Sequence, residues 1–196
     1  MNLKPLNYMQ YIDLNAEIEK LQQKSWWNDE MLSPSYQSWL ERTIMRNLPV
    51  TRGYRNNNPG NIRLTKTQWK GMCEKQNDGT FCQFTDITWG FRAMLRLLNS
   101  YYYNYHLRSV REVIGRWAPS SDGNNVKAYA RRVCVYANVT PAQRITAPDL
   151  DRGLWCNIVL GMATVENGVN QEYDDEYLRY RISKAWDMLF KPYEGR

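Results

Sequence analysis

The chain reads as an α+β protein, mostly α-helical, with one small β-hairpin region. Three observations predict this. Apolar residues recur at helical spacing behind capping residues through most of the second half. Three short strand-like segments cluster around an Asn77-Asp78-Gly79 turn, a strong hairpin signal. The order of helical arm, hairpin region and helical bundle fits α+β rather than α/β. A length of 196 residues supports one well-buried domain and a short extension. A hydrophobic fraction of 43%, with 13% aromatics, argues against disorder.

Taken in order, residues 1–48 form a helical arm separate from a domain at 49–196. From Tyr8 to Lys24, Met9, Ile12, Leu14, Ile18 and Leu21 make an imperfect helical stripe. After Trp26-Trp27 a second helix is expected from Pro34 or Ser35 to Arg46, with Trp39, Leu40, Ile44 and Met45 on one face. This arm packs on the domain or docks a partner. Strand-like pieces follow at 62–64, 69–73 and 81–84. A long helix is expected from near Thr88 towards Tyr105, carrying Phe91, Met94, Leu95, Leu98 and Tyr101. Ser109 and Glu112 make a capping box for the next helix, which Pro119 ends. Asn124 or Asn125 caps a third, through Val135; a fourth spans about 149–166 and a fifth about 176–190.

The formal net charge of +6 and pI near 9.1 favour a polyanionic partner. The positive charges read as scattered, which fits a bacterial surface better than nucleic acid. Cys73, Cys82, Cys134 and Cys156 form no CxxC pair and no zinc spacing with His106, the single histidine. Free, mostly buried thiols are expected, with no metal and no cofactor. Cys73 and Cys82 flank the hairpin, so a bridge between them stays open. No signal sequence and no membrane-spanning apolar run is read. If the protein reaches a cell wall, another machine must therefore deliver it.

Residues 52–63, Arg-Gly-Tyr-Arg-Asn-Asn-Asn-Pro-Gly-Asn-Ile-Arg, concentrate amides, turn formers and arginines. Asn and Gly tolerate positive φ and Pro59 fixes its own, so an ordered turn is expected. Two uses compete for its amides: an Asx cluster that satisfies its own backbone, or a wall that reads the hydroxyl and acetamido groups of a glycan.

Trp69-Lys70-Gly71, Asp78-Gly79-Thr80-Phe81, Phe84, Gly90-Phe91-Arg92-Ala93 and Arg116-Trp117-Ala118-Pro119 follow that turn in compact order. Over roughly residues 50–185 the series resembles a lysozyme-like family of bacteriophage and gut-bacterial virion proteins. Its pattern is RGxRNNNPGNIR, WxG, DGxF, F, GxRA and RWAP. The resemblance implies a fold related to lysozymes and lytic transglycosylases, with peptidoglycan as substrate, a virion or host-cytoplasm location, and other virion proteins as partners of residues 1–48. Family members often carry Met-x-x-x-Glu-x-Gly near the C-terminal end, matched by Met162, Glu166 and Gly168. They usually have Asp after the second Phe, where this chain has Thr85.

Breaking a glycosidic bond needs a carboxylic acid kept protonated by apolar surroundings. Ile158, Met162 and Glu166 are spaced by four, so Glu166 continues an apolar stripe. Asn167-Gly168 stops that helix, and the negative end of its dipole raises a carboxylate's pKa further. Glu166 is thus the expected acid. In most lysozyme-like chains the acid's helix precedes the hairpin, so a circular rearrangement is implied. Glu41 is the rival by chain order, although Arg42 and Arg46 favour its charged form; Asp78 and Asp86 are further carboxylates.

A one-acid scheme suffices for a lytic transglycosylase. In that scheme Asn57, Asn58 and Asn61 orient the N-acetyl group, and Tyr54, Trp69 and Trp117 line the sugar subsites. Asp78 is placed at the same substrate groove, and Arg92, with Arg55 and Arg63, contacts a peptide or lactyl carboxylate. A Cys82–His106 peptidase is the other enzymatic option. The competing class is a non-catalytic virion or wall-binding component on the same scaffold.

Overall fold

Caps decide where the helices begin. Asp86, Ser109, Asn125, Asp151 and Asp174 each turn a side-chain oxygen onto a backbone N–H two or three residues ahead. Each thereby satisfies a donor that a helix's first turn leaves unpaired. The helices so started are α2 Ile87–Asn104, α3 Val110–Trp117, α4 Val126–Ala137, α5 Arg152–Asn167 and α6 Asp175–Phe190, preceded by the single turn α1 Arg52–Arg55. Asn138 at φ 51° ends α4, and Gly168 at φ 73° ends α5. The computed structural model describes Lys20, Gln23, residues 50–168 and residues 174–191. The arm helices expected in 1–48, and Glu41, lie outside the described residues.

The fold is mostly α, and its β content is smaller than a hairpin. Among the described residues pairing is limited to isolated bridges, Arg63 with Phe81 and Met72 with Phe84. The three strand-like segments do meet, with 81–84 in the middle: Cys82 N–H bonds the Ile62 carbonyl and Cys73 N–H the Gln83 carbonyl, both at 2.9 Å. Side-chain amides and carboxylates cut the ladders short. Gln76 Nε2 donates to the Cys73 and Gln83 carbonyls, and Asp78 Oδ1 accepts from the N–H groups of Thr80 and Phe81. Polar side chains here occupy backbone groups that a longer strand would pair.

Helix α5 is the axis of the domain. Ten of its residues are buried, from Trp155 to Asn167, as expected of a helix that is apolar nearly all round. It packs against α4 and α6, while α2 packs on α6 and α3 on α4. At the α4–α5 crossing a Cβ on Gly161 would sit 3.0 Å from the Val133 backbone, so the two helices approach as closely as glycine permits. The apolar faces of α2 to α6 join in one core with Ile62, Cys82 and Phe84.

The Asn-rich turn is pressed between that core and the C-terminal end of α5. Asn57 and Asn61 adopt left-handed φ values of 51° and 47°, which asparagine tolerates. A Cβ on Gly90 of α2 would lie 2.1 Å from the Asn57 carbonyl oxygen. Glycine at 90 is therefore what lets the turn seat on the helix.

Candidate active site

Glu166 is the penultimate residue of α5, and its carboxyl faces the turn. Asn61 Nδ2 donates to Oε2 at 3.0 Å. Trp117 Nε1 and Tyr129 Oη both donate to Oε1, at 3.1 Å and 2.8 Å. Four segments thus converge at one acid: the turn, the end of α3, the first turn of α4 and the end of α5. The residue as a whole keeps some solvent exposure, whereas its carboxyl is densely surrounded by neighbouring atoms. Burial pushes the carboxyl above its ordinary value of 4.5, outweighing the Asn61, Tyr129 and Trp117 donors that favour the anion. Asn61, Trp117 and Tyr129 are all neutral donors. Position near the negative end of the α5 dipole acts in the same direction as burial.

Asn167 holds the helix end to the turn. Its Nδ2 donates to the Pro59 carbonyl at 2.7 Å and to the Ala163 carbonyl at 3.0 Å, and its Oδ1 accepts from Thr51 Oγ1 at 3.0 Å. A residue read from the sequence only as a stop signal therefore also fixes the height of Glu166 above the turn.

The remaining sequence-predicted residues divide sharply. Asn58 is fully buried; its Nδ2 donates to the Ile62 and Cys82 carbonyls and its Oδ1 accepts from Ile62 N–H, all at 2.9 Å. Asn57 Nδ2 donates to the Phe84 carbonyl at 3.0 Å. These two amides complete the backbone, which corrects their expected role as sugar readers; Asn61 alone of the three reaches the carboxyl. Tyr54 is 1% exposed, so its ring belongs to the core rather than to a sugar-facing wall.

Asp78 is bound by Arg52 through both guanidinium branches, at 2.6 Å and 2.7 Å, and by Asn56 Nδ2 at 2.8 Å. The Arg52 bonds hold it well below the usual carboxylate range despite the opposing effect of burial. It is a clamped anion. Trp69 lies with Arg96, Leu97, Asn99, Ser100, Tyr103 and Asn104 around a cavity of about 340 Å³. Those α2 residues lie largely opposite Met94, whose side chain meets Gly60 beside Trp117. Arg92, two residues before Met94, also sits on that far side, 5.9 Å from the Trp89 ring. Trp69 and Arg92 thus lie at the face of α2 turned away from Met94 and make no hydrogen bond to the Glu166 carboxyl. Trp117 is the aromatic residue of the predicted set that touches the acid.

Asp86 caps α2 and pairs with Arg181. Burial opposes its ionisation, but the Thr88 and Arg181 contacts outweigh that and keep it an anion. All four cysteines are free, so Cys73 and Cys82 do not pair. Cys82 is buried, and burial raises its thiol, the opposite of what a nucleophile needs. His106 sits exposed in the loop after α2. Tyr129 was the member missed. Its signal was a phenol in the otherwise apolar stripe Ala130, Val133, Ala137: a buried Tyr hydroxyl needs a partner.

Fold and site together define a small helical protein built around one enclosed acid, and among the described residues no helix is long and apolar enough to cross a membrane. No model of a known protein family matches the chain. It is 34% identical over 130 residues to Protein P5 of Pseudoalteromonas phage PM2, covering 65% of this chain and 78% of that protein. The chain belongs to the family of that phage protein.

Proposed function

We propose that the protein is a virion-associated, lysozyme-like enzyme that cleaves the glycan strand of peptidoglycan, with Glu166 as the general acid. The observation that carries this reading is the environment of that carboxyl. It is enclosed, bonded by three neutral donors, and raised in pKa where an amide-rich turn meets the helix end. Oε1 already accepts two hydrogen bonds and Oε2 one, so Oε2 is the oxygen with a lone pair left for a proton. Protonated there, Glu166 donates to the glycosidic oxygen as its bond to the sugar carbon breaks. The substrate's acetamido oxygen then covers the electron-poor carbon, and the Glu166 carboxylate recovers a proton from the incoming hydroxyl or water. Membership in a phage protein family supports the virion setting.

The same geometry favours a second reading. A carboxylate that ties α5 to the turn, α3 and α4 is also a good lock for a non-catalytic virion or wall-binding component. Clearing of purified peptidoglycan by wild type and by Glu166→Gln separates the two. The enzyme reading expects clearing by wild type and a loss of about 10²–10⁴-fold in the variant. Clearing by neither favours the lock, and equal clearing by both removes Glu166 as the acid.

A further inference from the structure

The acid's indole partner opens onto an aromatic strip. Trp117 meets Tyr101 edge-on with ring centroids 6.4 Å apart, and Tyr101 meets Tyr105 at 6.1 Å. Tyr105 is 49% exposed. Arg116, the residue before Trp117, lays its guanidinium 3.4 Å from the Tyr105 centroid and 5.1 Å from that of Tyr101. Arg116 is exposed and forms no ion pair with any described residue. Its nearest helical carboxylate, Glu112 one turn back, instead accepts from the Arg108 N–H at 2.7 Å. The wider field has the same sign: residues 51–147 hold 15 Lys and Arg against 5 Asp and Glu, a net of +10 on a chain of +6. The basic residues are scattered along the chain, and the net positive charge of this half arises because acids are scarce within it.

We propose that Arg116, held over the Tyr105 ring with Tyr101 at its side and Trp117 next in the chain, forms a subsite for a carboxylate carried by the glycan, next to the sugar whose bond Glu166 attacks. Stacking over Tyr105 engages the face of the guanidinium; its edge also reaches the Tyr101 hydroxyl, and the remaining in-plane N–H groups are left for an anion, the geometry in which arginine surpasses lysine. The aromatic edges give the neighbouring sugar an apolar surface. The class of substrate thus selected is an N-acetylated glycan bearing acid groups, over a neutral one. This subsite rests on the glycan-cleaving reading of Glu166.

The test is co-sedimentation of the full chain, in a Glu166→Gln background that prevents turnover, with three polymers. They are intact peptidoglycan, peptidoglycan stripped of stem peptides so that lactyl carboxylates remain, and neutral poly-N-acetylglucosamine. Arg116→Ala is expected to weaken binding to the acidic polymers about tenfold, to flatten its salt dependence, and to leave the neutral polymer unaffected. Arg116→Lys is expected to restore only part. Loss on the intact polymer alone assigns the carboxylate to the stem peptide, and loss on both assigns it to the lactyl group. Equal loss on all three, or none, overturns the subsite while the glycan reading stands. No binding to any polymer before Arg116 is changed overturns both. An unchanged Tm in Arg116→Ala shows that the effect is not one of folding.

Discussion

Asp78 and Glu166 are two carboxylates bonded to the two ends of one asparagine-rich turn, through Asn56 and Asn61, and their surroundings drive them to opposite charge states. Asp78 faces a guanidinium, a side-chain amide and two backbone N–H groups, and stays an anion. Glu166 faces an amide, an indole and a phenol, is more deeply enclosed, and is pushed towards the neutral acid. Each accepts several hydrogen bonds, so bond count does not separate them. What separates them is a full positive charge beside one, and burial among neutral donors around the other.

The sharpest way to break that contrast is Glu166→Gln. Activity on peptidoglycan is expected to fall by about 10²–10⁴-fold while stability near pH 7 rises. The sign follows from linkage. A folded-state pKa raised above 4.5 means the folded protein binds more protons than the unfolded chain between those two values, so wild type loses stability as pH climbs through that window. Glutamine has no charge to bury, so the Tm difference should open above pH 4.5 and close below it. The activity of wild type should decline as pH rises through the raised value. A pH-independent Tm difference would break the contrast.

Next in size is Gly90→Ala, whose Cβ would be 2.1 Å from the Asn57 carbonyl and 2.7 Å from Pro59 Cδ. Lifting the turn off α2 is expected to cost about 1–3 kcal/mol in denaturant unfolding, with activity lost alongside it because Asn61 moves as well. Asp78→Asn should cost about 1–2 kcal/mol and spare catalysis in the molecules that stay folded. Its depressed pKa places that stability above the unfolded value of 3.8, fading as pH falls below it. Lost activity at unchanged stability would make Asp78 part of the chemistry.

Helix starts were legible because capping is local. Ser109 and Asn125, read as caps, stand directly before the helices they start, and the starts expected near 88, 149 and 176 fall within three residues of those observed. The stripe ending in Glu166 was legible for the same reason. Which amides of the turn serve the backbone and which serves the acid was not, since Asn57, Asn58 and Asn61 are equivalent as residues and differ only in what the fold places opposite them. The side chosen by Trp69 and Arg92 was hidden likewise: it depends on which face of α2 the turn covers. Tyr129 lies 37 positions from Glu166, and only the α4–α5 crossing brings them together.

The smallest perturbation is Tyr129→Phe, which removes the 2.8 Å donor to Oε1. It is expected to cost about 1 kcal/mol and to move the alkaline limb of the activity profile further up, because a donor favouring the anion is gone. A downward shift would mean that the phenol acts otherwise than as a donor.

The central claim is most directly tested by the indole N–H resonance of Trp117, read by NMR across pH in protein labelled at tryptophan. Its proton is bonded to Glu166 Oε1, so its shift reports that carboxyl's ionisation. A titration with a midpoint clearly above 4.5, absent in Glu166→Gln, is the expected result. A midpoint at or below 4.5 would mean that Glu166 is an ordinary anion at neutral pH, and the acid role would fall.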